Sequence, residues 1–294
     1  MAQQIGNRLW VTGCTDVGCV RTLNEDNHLV DVKIGLLVVA DGMGGHDAGE
    51  IASQLVIESI RDTLQAFMRT PPEPWNSSMM DPCDDGESTV VNFTIREEFR
   101  EEFREDLQND EPTVDEAPNP ILSVVQSAVN HANAAVNHAN MQKGYPEGMG
   151  MGSTLVGMWL PEYSEKPVIF HVGDSRLYLY SQGRLNQVTQ DHSMYQQWVN
   201  FGGRGEAPAQ NILLQAMGPS NYVTPDVGFQ DVGKGDIILM CSDGLSGMIP
   251  HAKIAEVLAT TNSKNLDQSC RRLIEMAKKA GGKDNITVIL GYFV

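Results

Sequence analysis

A chain of 294 residues with 41% hydrophobic content can bury a large core, which suits one large domain or two small ones. Its formal charge of −17 excludes the basic face of a general nucleic-acid binder but leaves room for a local phosphate site. No early stretch has the basic start, apolar core and small-residue cleavage site of an export signal. The longest apolar runs, such as ITVILGYFV at 286–294, are too short to span a bilayer as a helix. The expectation is a cytoplasmic chain with no direct membrane insertion, acting as a monomer. The cysteines, at 14, 19, 83, 241 and 270, are odd in number and lack paired C-x-x-C spacing, which suggests reduced thiols rather than disulfides or a thiolate zinc site. Cys241 stands two residues before Asp243 but has no local base, and is read as a buried filler.

In chain order, residues 8–12, 27–32 and 34–40 read as strands, and 48–68 as a helix with Ala52, Leu55, Ser59, Ile60, Leu64 and Phe67 on its buried stripe. The glycines of DGMGG (41–45) then lie between a strand end and a helix start, where free backbone amides approach ligands closely. Residues 70–118 carry fifteen acidic side chains against three arginines, and so hold most of the net charge. Within them IREEFREEFREDL (95–107) could form a short helix, but the apolar inventory cannot build a core, so the span reads as an insertion. A second amphipathic helix, 119–141, is expected to turn Val125, Ala128, Ala132, Ala135 and Ala139 inward. Its His131 and His138 lie about 10 Å apart along the axis, too far for a helical ligand pair, and read as polar-face residues.

Beyond it, GMGSTLVGMWL (150–160) runs into a strand. KPVIFHVGDSRLYLYSQGRLNQVT (166–189) reads as one broken strand, a Gln182-Gly183 turn and a returning strand. Residues 194–223, rich in glycine, read as a mobile loop. DIILMCSDG (236–244) is a fully buried strand, helices follow near 252–260 and 267–280, and GGKDNITVILGYFV ends the chain. Strands joined by hairpins with helices clustered between them indicate antiparallel sheets covered by helices, an α+β class.

Carboxylates recur at the lips of these apolar strands: Asp41, Asp174, Asp243 and Asp284, with Arg21, Glu25 and Asp26 in RTLNEDN (21–27). Any one of them alone would read as a turn or surface acid. Converging, they would lose hydration and repel one another unless something neutralised them. Arginines could do so, but only Arg21 and Arg176 lie near; shared protons could also; hard divalent cations with oxygen ligands fit best. Such ions can activate water and steady a phosphoryl group, and Arg21 is the best-placed side chain to grip phosphate. From the residues alone the reading is metal-assisted hydrolysis of a phosphate ester.

The chain resembles the PPM/PP2C family of metal-dependent protein serine/threonine phosphatases, in particular its bacterial members. The resemblance is carried by GCTDVGCVRTLNEDN (13–27), VVADGMGGHDAGEIAS (38–53), GMGSTL (150–155), VGDSRLYL (172–179), QVTQDHS (187–193), MCSDGLSG (240–247) and GGKDNITV (281–288). These occur in the family's order over nearly the whole chain apart from 70–118. The resemblance implies a four-layer α-β-β-α sandwich of two antiparallel sheets flanked by helices, as a single phosphatase domain over 1–294 with the insertion at about 70–118. It implies that Asp41 bridges two Mn²⁺ or Mg²⁺ ions, that the Gly42 carbonyl binds one of them, and that Asp243 and Asp284 complete the protein ligands. Asp174 would serve a weaker third ion. Glu25 and Asp26 would orient metal-bound waters, Asn285 and Ser242 would shape the loops, and Arg21 would bind the substrate phosphate. A metal-bridging water would attack phosphoserine or phosphothreonine directly, on proteins phosphorylated by bacterial Ser/Thr kinases. Met43 stands where animal relatives carry a histidine acid, and a thioether cannot donate a proton. That leaves the general acid to a metal-bound water, with His46 and His192 as runners-up. Ser153 replaces a threonine common in relatives, and 194–223 corresponds to the family's flap. Two other readings stay open: a catalytically silent module of the same fold used for binding or regulation, and hydrolysis of a different phosphoryl substrate.

Overall fold

The computed structural model describes residues 2–44, 48–69 and 119–294. The acidic span 70–118, with the helix expected over 95–107, and His46 lie outside the described residues, as does Cys83. The elements run β1 (Gln3–Ile5), β2 (Leu9–Asp16), β3 (Asp26–Asp31), β4 (Leu36–Met43), α1 (Gly49–Arg69) and α2 (Pro120–Gln142). There follow β5 (Gly152–Ser153), β6 (Leu155–Trp159), β7 (Val168–Val172), β8 (Arg176–Ser181), β9 (Arg184–Gln187), α3 (Met194–Asn200) and β10 (Asp226–Phe229). The chain ends with β11 (Ile237–Cys241), α4 (Asp243–Ser246), α5 (His251–Leu258), α6 (Leu266–Lys279) and β12 (Ile286–Phe293).

Two antiparallel sheets result. One has the order β1-β2-β12-β11-β8-β9; the other runs β10-β7-β6-β4-β3, with β5 added against β4. Alternation along the strands explains why they stack. In β4, Leu36, Val38 and Ala40 pack on α1 and α2, whereas Leu37 and Val39 face the other sheet. In β11, Ile237, Leu239 and Cys241 pack on the α4–α6 side, while Ile238 and Met240 meet Leu37, Val39 and Met158 between the sheets. Three apolar layers separate four structural ones, the α-β-β-α sandwich that the resemblance implies.

Several local expectations shift. Strand β4 runs through Asp41 and Gly42 to Met43 instead of ending before the carboxylate, because Gly42 and Met43 pair with Ser153 and Gly152. The broken strand at 166–181 is two strands in different sheets: β7 pairs with β6 and β10, β8 with β11 and β9. The break at 173–175 is a crossover between sheets, turned at Gly173 with φ 101°. The loop 194–223 contains helix α3, started by Ser193, whose hydroxyl accepts from the Gln196 N–H. Helix α1 buries Ser53, Val56 and Ile57 in place of Leu55, Ser59 and Phe67, which are half-buried.

In α2, Ala135 and Ala139 are only half-buried, because the inward stripe is set by Asn133, Asn137 and Asn140. Asn133 accepts from the Gly218 N–H at 2.7 Å and donates to the Ser220 carbonyl at 3.0 Å. Asn137 donates to the Gly218 carbonyl at 2.9 Å, and Asn140 bonds both the N–H and the carbonyl of Met151 at 2.9 and 2.7 Å. Buried amides on a helix are tolerated because each finds backbone partners. Here they fasten the segments 151 and 217–220 beside the functional cleft.

Candidate metal centre

Strand ends from both sheets deliver carboxylates to one edge of the sandwich. Asp26 and Asp41 face each other as register partners on β3 and β4. Asp243 opens α4 directly after β11, Asp284 precedes β12, and Asp174 sits on the β7–β8 crossover. Side chains directly opposite in an antiparallel pair share one face, and like charges there destabilise the pair. Asp26 is 5% exposed; its Oδ2 accepts from the Ser242 hydroxyl at 2.7 Å, while its Oδ1 has no hydrogen-bond partner.

Electrostatics record the crowding. Loss of hydration drives the Asp41 carboxyl well above the usual carboxylate range, and the charges of Asp26, Asp243, Asp174 and Asp284 push the same way. Burial lifts Asp26 to about 6 against the hydrogen bonds of Ser242 and Thr287. It lifts Asp174 to about 7, helped by the charges of Asp243 and Asp191. Asp243 rises by burial and the charge of Asp284, opposed by a hydrogen bond with Asp41 and by the charges of Arg21 and Arg176.

The cationic side chains do not balance this set. Arg21 reaches Asp284 Oδ2 at 2.8 Å and is half-exposed at the rim. Arg176 is committed elsewhere, with Nε and Nη2 on the Asp191 carboxylate at 2.9 and 2.7 Å. Oxygen-only donors, an excess of negative charge and an orphaned carboxylate oxygen are what hard divalent cations such as Mg²⁺ or Mn²⁺ require. The residues present therefore fit a metal centre.

The scaffold around Asp41 is fixed by backbone. Its N–H donates to Thr154 Oγ1 at 3.1 Å, and its carbonyl accepts from Thr154 N–H and Ser153 Oγ at 2.8 and 3.0 Å. Thr154 Oγ1 also meets Ser175 Oγ at 2.6 Å, joining Asp41 to the crossover that carries Asp174. Gly42 admits no side chain: a Cβ would stand 2.1 Å from the Gly49 carbonyl oxygen. Glu25 Oε1 accepts from the Gly49 N–H at 3.2 Å, placing its carboxylate at the positive end of α1. Asn285 accepts from the Glu25 N–H at 2.8 Å and donates to the carbonyls of Val17 and Leu23, so it shapes the loop that presents Arg21. Cys241 is fully buried with its thiol pushed up to about 12 by burial, which suits a packing residue and not a nucleophile.

One grouping was not read from the sequence. His171, His192 and Asp226 bring their ligand atoms within 4.8 Å of one another, and the two imidazoles stack at 4.5 Å. Two imidazoles and a carboxylate have donor chemistry that transition metals accept. Hydrogen bonds already occupy the two imidazoles, however. A carbonyl only accepts, so His171 Nε2 donates to Gln190 at 2.8 Å. An amide only donates, so His192 Nδ1 accepts from Gly173 at 3.3 Å and its Nε2–H faces Asp226 at 3.5 Å. The trio thereby buttresses the crossover bearing Asp174, and His192 is not free to act as the runner-up acid. The antiparallel register that sets His171 opposite Asp226 has no signal in the local sequence.

Comparison with known proteins gives the family. The family model for protein phosphatase 2C matches residues 20–291. The serine/threonine phosphatase Stp of Listeria innocua is 31% identical over 284 residues, covering 94% of this chain and 92% of that protein. The serine/threonine protein phosphatase PstP of Mycobacterium tuberculosis is 30% identical over 94% of this chain, which spans 43% of PstP's length. A crystal structure of the PstP catalytic domain with two manganese ions superposes with a TM-score of 0.71 at 29% identity, covering 98% of this chain and 99% of that one. Stp1 of Staphylococcus aureus gives a TM-score of 0.71 at 25% identity, covering 99% and 97%. This chain belongs to the protein phosphatase 2C family.

Proposed function

We infer that the chain is a metal-dependent phosphatase acting on phosphoserine and phosphothreonine in proteins. The observation that carries this is the convergence of Asp41, Asp243 and Asp284, with crowding and burial disfavouring the ionisation of Asp41 and Asp243, in a chain that matches the family from 20 to 291. All three are retained, which counts against the catalytically silent reading.

Asp41, the Gly42 carbonyl, Asp243 and Asp284 would hold two Mn²⁺ or Mg²⁺ ions, and Asp174 with Asp243 a weaker third. When bound, such ions activate water for attack on phosphorus and offset the charge that develops on the phosphoryl oxygens. Asp26, with its unpartnered oxygen, and Glu25 orient water at the centre. Arg21, half-exposed at the rim, swings between Asp284 and the substrate phosphate, which its planar fork can grip with two hydrogen bonds. Met43 offers no proton.

The catalytic domain runs through 1–294 with 70–118 as an insertion, since the described strands before and after that span make up both sheets together. The working form in this reading is a monomer. Its partners are phosphorylated proteins and the kinases that phosphorylate them. Among the described residues no helix is long and apolar enough to cross a membrane. Cys14, Cys19, Cys241 and Cys270 are free thiols, which suits a cytoplasmic setting.

Phosphate release from a phosphothreonine peptide, assayed with Mn²⁺ and again after chelation, tests the reading. Turnover with Mn²⁺ that disappears on chelation is expected; equal rates in both would reject it. In the same assay Arg21→Ala should raise KM and weaken inhibition by inorganic phosphate by about tenfold each. A fall in kcat alone would refute the phosphate-gripping role.

A further inference from the structure

A groove of about 780 Å³ opens beside the metal centre, with Met43 in its wall together with Ile212, Leu214, Ala216, Pro219 and Tyr222. Among the described residues no charged side chain lines it, although the chain carries −17 overall. Ile212, Leu214 and Tyr222 keep 43%, 49% and 74% of their surface exposed, so the groove presents apolar side chains to solvent. Large apolar groups left exposed together, beside a reaction centre, mark a place where another chain seats.

The groove is continuous with the cleft. Met43 is two residues along β4 from Asp41, about 7 Å at strand spacing. Its lower wall is fastened to the same scaffold: Met217 and Ser153 exchange backbone hydrogen bonds at 2.8 and 3.0 Å, and Ser153 Oγ bonds the Asp41 carbonyl. Asn133 and Asn137 hold Gly218, and Gly148 N–H donates to the Pro219 carbonyl at 2.9 Å. The upper wall is tied at Met194 and Leu214, which bond to the carbonyls of Ile212 and His192. An extended peptide advances about 3.3–3.6 Å per residue, so two or three residues of it span the distance from Asp41 to Met43 in the groove wall.

We propose that the groove seats apolar residues flanking the phosphorylated residue, so that the enzyme selects phosphorylation sites set in uncharged, hydrophobic sequence. The inference rests on the protein-substrate reading above and adds the sequence class. An apolar flank gains burial against Leu214 and Tyr222, whereas a charged flank would be desolvated there without a partner.

The test uses the full chain with Mn²⁺ and three phosphothreonine peptides that differ only two and three residues from the phosphothreonine: apolar, Glu or Lys. Expected is a kcat/KM for the apolar peptide about five- to tenfold above both charged ones. Leu214→Asp and Tyr222→Ala should each erase that preference while leaving turnover of p-nitrophenyl phosphate, which also reports folding, unchanged. A preference for the Lys peptide would mean that the protein's overall negative field rules, and would overturn the proposal. So would equal rates on all three peptides, or variants that keep the wild-type preference. Hydrolysis of p-nitrophenyl phosphate without hydrolysis of any peptide would instead remove the protein-substrate reading, and the groove's role with it.

Discussion

Exchanging Asp243 for Asn should cut turnover of a phosphothreonine peptide by on the order of a thousandfold or more, while raising the melting temperature of the metal-free protein. Both effects have one origin. An amide of the same shape removes a charge that the centre needs for cations, and in their absence removes repulsion from Asp284 and the strain of burying a carboxylate. A residue of purely structural importance would lower stability together with activity. Asp41→Asn should behave likewise, since Asp41 sits opposite Asp26 with four carboxylates pressing on it. Steady-state kinetics at saturating Mn²⁺ and thermal unfolding with and without chelator check the pair of signs. Unchanged kcat, or a lower melting temperature in the metal-free variant, would contradict the assignment.

A second large effect concerns pH. The folded pKa values of Asp26 and Asp174, about 6 and about 7, exceed the ordinary value of 3.8. Above pH 3.8 the unfolded chain releases these protons while the folded chain still holds them. Metal-free stability therefore falls as pH rises from about 4 to about 7, by about 1.4 kcal/mol per pKa unit and so several kcal/mol in all. Asp16 and Asp267, lowered by their hydrogen bonds, act below that window. His28 and His171, lowered by burial, oppose the trend below their ordinary value of 6.5, because only the unfolded chain takes up their protons there. The discriminating quantity is thus the rise in melting temperature on adding Mn²⁺, since the ions relieve the carboxylates and leave the histidines untouched. That rise should be small at pH 5 and large at pH 7.5. A rise independent of pH would show that the crowded carboxylates are not where the ions bind.

How much of this was legible in the sequence depended on whether the signal was local. β4 and β11 stand out because runs such as LLVVA and IILMC are buried on both faces, and the carboxylates at their ends stand out against them. Convergence of these acids from two sheets was inferable only because several such ends recur. The α2 stripe held at Val125, Ala128 and Ala132 but failed at Ala135 and Ala139, because small alanines look like core, whereas Asn133, Asn137 and Asn140 are buried for backbone partners outside the helix. The segment 166–181 looked like one interrupted strand because nothing in its composition announces a change of sheet at Gly173. Helix α3 buries none of its residues, so it leaves no apolar period to find. β1 and β10 are short and partly exposed edge strands, for the same reason invisible. The groove at Met43 is assembled from three separated stretches and belongs to tertiary structure alone.

The central claim is that Asp41, Asp243 and Asp284 are gathered in order to hold divalent ions. Calorimetric titration of Mn²⁺ into the chelator-treated protein tests it most directly. Expected is uptake of two ions per chain by the wild type, with proton release at neutral pH, and loss of that uptake in Asp41→Asn. An absence of uptake by the wild type, or identical uptake in the variant, would contradict it.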